Sequence, residues 1–84
     1  MQTTPIAKTY VDGLADETFN ALCSLENSNP DFLQFLAGPC EDPVTTAKLA
    51  IQLNGFGIPE EYTNSAYALH YFVVAVNNRA SGNG

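Results

Sequence analysis

The sequence predicts an all-α fold: a small bundle of three to four short helices with an extended or partner-bound apolar C-terminal segment. Three observations carry this. Apolar residues recur at three- and four-residue steps through the acidic part of the chain. Prolines follow capping residues directly at Asn29-Pro30 and Asp42-Pro43, the signature of a helix start. All nine acidic residues lie between Asp12 and Glu61, whereas Tyr62 to Asn78 holds no Asp, Glu, Lys or Arg.

Residues 1–11 carry no periodic pattern and are expected to form a flexible arm. From Asp12 to Glu26, Ala15, Phe19, Leu22 and Cys23 fall at helical spacing, and Asp16 and Glu17 sit early, where the helix dipole favours anions. Asn27-Ser-Asn-Pro30 breaks this helix and opens a short second one carrying Phe32, Leu33, Phe35 and Leu36, which Gly38-Pro39 ends. Asp42-Pro43 opens a third, with Val44, Ala47, Leu49, Ala50, Ile51 and Leu53, stopped by Asn54-Gly55. A further start signal lies at Gly57-Ile-Pro-Glu-Glu61, where Ile58 can staple the first turn.

The segment after Tyr62 reads in two ways. Tyr62, Ala66, Leu69, Val73, Val76 and Ala80 follow a three-four spacing, with Arg79 in a last turn. Against this, Tyr71 to Val76 is aromatic and β-branched, which favours an extended chain. The reading adopted is helix to about Leu69 and an extended, partner-bound segment beyond it. The resulting organisation is an arm at 1–11, a helical domain at 12–69 and a C-terminal segment at 70–84.

Composition narrows the function. The chain has 84 residues, one domain's worth, and a core of this size is marginal without help. A net charge of −6 disfavours nucleic acid, whose binding needs clustered Lys and Arg, and equally an anionic membrane. The longest apolar run, Ala66 to Val76, is too short to span a bilayer, and no secretory signal opens the chain, so a cytoplasmic location is expected. Cys23 and Cys40 lack metal-type spacing and read as two semi-buried thiols.

Catalytic groups are sparse. The carboxylate pairs Asp16-Glu17, Glu41-Asp42 and Glu60-Glu61 all sit at helix starts, where dipole complementarity explains them. His70 is the only histidine, and beside Tyr67 and Tyr71 it reads as a packing or hydrogen-bonding residue. No phosphate-cradling loop, metal set or nucleophile–His–acid constellation can be assembled. The expectation is a non-enzyme with no metal and no cofactor of its own.

A protein without catalytic groups can be the object of catalysis. Tyr71-Phe-Val-Val-Ala-Val-Asn77, close to a Gly82-Asn-Gly84 end, resembles the core of a borosin precursor peptide. Asp16-Glu-Thr-Phe19, Pro30-Asp-Phe-Leu33 and Gly55-Phe-Gly-Ile-Pro-Glu60 resemble small helical leader domains. The resemblance is compositional and architectural, and no single motif is diagnostic. It implies a leader that docks on a separate α-N-methyltransferase, which binds S-adenosylmethionine and methylates backbone amides of the core. The candidate modification positions are then Phe72, Val73, Val74, Ala75 and Val76. A general base and an oxyanion site in the partner would activate each amide, and docking would raise the local concentration of the core.

For leader docking the candidates are Phe19, Phe32, Phe35 and Phe56, each with burial in the core as its competing reading. The alternative function is a small acidic interaction or inhibitor module that uses the Tyr62–Ala80 strip against a protein partner or a second copy. Side-chain modification at Cys or Ser is a lesser variant, since only Ser65 and Ser81 follow Cys40.

Overall fold

A computed structural model of the chain describes residues 3–82. These form five α-helices and one 3₁₀ turn, with no strand among the described residues. The helices are α1 (Pro5–Asp12), α2 (Asp16–Ser28), α3 (Pro30–Gln34), α4 (Pro43–Gly55) and α5 (Ala66–Ala80), and the 3₁₀ turn spans Glu60–Tyr62. The all-α class expected from the sequence is therefore present.

Four helices open on a side-chain cap. Thr4 Oγ1 accepts from the Ala7 N–H at 3.2 Å, Asn29 Oδ1 from Asp31, Asp42 Oδ1 from Val44, and Ser65 Oγ from Ala68. Three of these caps are followed at once by proline, at Pro5, Pro30 and Pro43. The Thr4-Pro5 pair corrects the expectation of a flexible arm, because it starts α1 and places Ala7 and Val11 on one buried face. Helix α4 ends at Gly55, where Asn54-Gly55 signals a stop, and Phe56 is its C-cap. Gly57 adopts φ +88°, its N–H bonds to the Asn54 carbonyl at 3.0 Å, and the Ile58 N–H bonds back to Leu53 at 3.1 Å. This left-handed stop buries Ile58 in the core, and the Pro59-Glu60-Glu61 signal gives only the 3₁₀ turn before Ser65 caps α5.

The extended C-terminal segment is not found: α5 is helical from Ala66 to Ala80. Leu69, Phe72, Val73, Val74, Ala75 and Val76 are all buried, so this helix is wrapped on nearly every side. It touches α1, α2, α4 and the 3₁₀ turn. The physical reason is backbone pairing. A lone buried strand leaves its N–H and C=O groups without partners, whereas a helix bonds its own. The helix penalty of a valine is at most about 0.7 kcal/mol, against about 1.5–3 kcal/mol from burying its side chain.

Hydrogen bonds fasten both ends of α1 to α5. The Thr3 hydroxyl donates to the Tyr71 carbonyl at 2.6 Å, and Arg79 Nη1 donates to the carbonyls of Val11 and Leu14 at 2.8 and 2.9 Å. Asn29 Nδ2 to Gln52 Oε1 joins the α2–α3 corner to α4, and Thr63 Oγ1 to Asn54 Oδ1 joins the 3₁₀ turn to the end of α4. The radius of gyration, 11.3 Å, is close to the ~12 Å expected of one compact body this long.

Candidate functional site: a tyrosine-lined groove

The five residues singled out for backbone modification, Phe72, Val73, Val74, Ala75 and Val76, lie in the central helix with no more than 2% exposure. Their amides are in helical hydrogen-bonding positions rather than presented to solvent. The four phenylalanines considered for docking are not brought together on one surface. Phe32 and Phe35 are fully buried in the core. Phe19 is half-buried beneath the Arg79 guanidinium, and Phe56 caps α4 with its ring partly exposed.

The Tyr62–Ala80 strip is likewise spent mostly inside the molecule. Leu69, Val73 and Val76 of its three-four pattern are core residues, so they are not interface knobs. Of its large apolar side chains only Tyr67 is mainly exposed, at 65%.

Charged and thiol groups are accounted for structurally. Asp16 and Glu17 occupy the first turn of α2, Asp42 caps α4, and Glu60 and Glu61 open the 3₁₀ turn, as their positions at helix starts predict. Hydrogen bonds from the Thr45 hydroxyl and the Val44 N–H hold the Asp42 carboxyl below its ordinary range. His70 Nδ1 lies 2.5 Å from the Phe35 carbonyl, which ties α5 to the end of α3. Cys23 and Cys40 are free and half-buried. Burial pushes the Cys23 thiol up, with the nearby Glu26 adding to this, so it is a poor nucleophile. No cluster of three or more metal-ligating side chains occurs among the described residues, and no described helix is long and apolar enough to cross a membrane.

The surface feature with chemistry left over lies between α1, the 3₁₀ turn and α5. Two adjoining shallow depressions, about 260 and 390 Å³, share Ile6 and Tyr62 in their walls. The first also uses Thr4, Ala7, Glu61, Ala68 and Tyr71, and the second Pro5, Thr9 and Tyr10. Ile6 is 69% exposed between them. Tyr10 and Tyr62 stack with ring centroids 4.3 Å apart, and both contact Phe72 of the core at 6.4 Å. Burial raises the hydroxyl pKa of both tyrosines, and the negative charge of Glu61 raises each further.

All four tyrosines of the chain thus fall on this side: Tyr10, Tyr62 and Tyr71 in the groove walls and Tyr67 one helical turn before Tyr71. The groove was hidden in the sequence because half of it is α1. The cap–proline signature at Thr4-Pro5, the same one that located α3 and α4, was the signal that could have revealed it.

No protein-family model matches this chain, and no curated protein or solved structure matches it significantly.

Proposed function

We propose that this protein is a small acidic interaction module that binds another protein and carries no catalytic machinery of its own. The observation that supports this reading most is the groove. A chain of 84 residues leaves Ile6 and Tyr67 mainly exposed beside two depressions walled by its other tyrosines. Tyrosine is favoured at protein interfaces because it offers large contact area with a polar tip and little rotamer entropy. The module reading is kept from the sequence, while its surface moves from the buried strip to the α1–α5 groove.

In the precursor reading, a methyltransferase partner would need the amides of Phe72 to Val76 released from α5. That helix forms the middle of the core, so release amounts to unfolding most of the domain. No groove is needed for that role, and nothing in the fold singles it out.

Two measurements test the module reading. Intact mass and fragmentation of the chain co-expressed with its genomic neighbours should show no methyl increments; increments mapped to Phe72–Val76 would replace the module with a modified precursor. A photocrosslinking residue at Ile6 should give a discrete protein adduct in the native host, and one at exposed Asn20 on α2 should not. Equal labelling from both positions would remove the groove as the interface.

A further inference from the structure

We infer that the tyrosine-lined groove takes a partner segment in which large apolar side chains are flanked by Lys or Arg; this rests on the interaction reading above. The groove's walls contain one charged residue, Glu61, and Glu60 precedes it in the same exposed turn. Neither glutamate has an ion pair with a described Lys or Arg. None of the three basic residues lines the groove: Lys8, on α1, is paired with Asp12, Arg79 reaches Val11, Leu14 and Asp16, and Lys48 is on α4. The groove is therefore an apolar and aromatic floor under a negative potential, and the chain's net charge of −6 extends that potential outward.

Each part selects a chemistry. Ile6 and the stacked Tyr10–Tyr62 pair offer apolar surface to a large aliphatic or aromatic side chain. The glutamates favour a cation, and the aromatic wall residue Tyr71 can add cation–π attraction for an ammonium or guanidinium. A second copy of this chain is the wrong occupant. A two-fold contact through the groove brings the same acidic rim together twice and joins two molecules of charge −6, with no basic wall residue to offset either. Nucleic acid and anionic lipid are repelled by the same field.

The test uses the full chain, ¹⁵N-labelled, and two synthetic peptides that share a Leu-Phe centre and differ only in Lys or Glu flanks. The Lys-flanked peptide should shift the amides of Ile6, Tyr62, Ala68 and Tyr71, with an affinity at least about fivefold above the Glu-flanked one. The double variant Glu60→Gln/Glu61→Gln should abolish that preference without changing the thermal midpoint, and Ile6→Ser should weaken both peptides. Equal binding of the two peptides at the groove overturns the cationic specificity and leaves the interaction reading standing. Shifts confined to another face, such as Val44 to Ile51 on α4, or no shifts at all, overturn the groove as the site. The Ile6 crosslinking result then decides separately whether the module reading survives.

Discussion

The guanidinium of Arg79 lies 4.1 Å from the centroid of the Phe19 ring, stacking the last turn of α5 on the first half of α2. The same group donates two hydrogen bonds to carbonyls at the α1–α2 joint, Val11 and Leu14, and a third to Asp16 Oδ1 at 3.1 Å. One planar fork therefore closes three helices over the core. A lysine has neither the fork nor the flat face to do so.

Arg79→Lys should destabilise the domain by about 1.5–3 kcal/mol, the range for hydrogen bonds to a charged donor, because two carbonyls lose it. Its partner behaves differently. Asp16 is 95% exposed, so Asp16→Asn should cost less than about 1 kcal/mol, the loss of an exposed ion pair and of one first-turn charge. Equal losses in the two variants would show that the ion pair, and not the fork on the carbonyls, holds the joint.

Glu26 makes stability fall with rising pH. Its carboxyl is buried at the surface of α2, and burial raises its pKa above the ordinary 4.5. The folded state therefore holds this proton more tightly than the unfolded state. The contribution is fully present below the unfolded pKa and is lost as pH rises through the folded one. Glu26→Gln should raise the urea midpoint at pH 7 and make no difference near pH 3. A variant no more stable than the parent at pH 7 would contradict this.

Two glycines two residues apart should respond with opposite signs. Gly57 holds φ +88°, where a Cβ is strained, so Gly57→Ala should cost about 1–2 kcal/mol even though nothing lies within 4 Å of the added methyl. Gly55 lies within α4 with the same open space around it, so Gly55→Ala should stabilise by about 0.5 kcal/mol. Thermal melts separate the two, since each kcal/mol moves the midpoint of so small a domain by about 4–8 °C.

Hydrogen exchange should be slowest at the amides of Phe72 to Val76. They sit in the helix most completely enclosed by others, so they open only on global unfolding. Exchange there at the rate of the exposed residues of α4 would mean that α5 is released locally, and that the precursor reading regains its presented backbone.

The features legible in the chain alone are those set by short-range chemistry. Asn29-Pro30 and Asp42-Pro43 fix where α3 and α4 begin because a side-chain oxygen and a preset φ act within one turn. The acidic pairs at helix starts and Arg79 in the last turn of α5 follow from the same local dipoles. Thr4-Pro5 had the same information, but Ala7 and Val11 are too short a pattern to register without the partner helix that buries them.

The tertiary structure alone decided the state of Tyr71–Val76. Its β-branched residues argue for an extended chain, and only the presence of α1, α2 and α4 around it, with no strand among the described residues to pair with, makes the self-bonded helix the cheaper form. That outcome converts the segment from surface to core. It leaves Ile6 and the tyrosines, scattered from residue 6 to residue 71, to meet as one groove that no local pattern encodes.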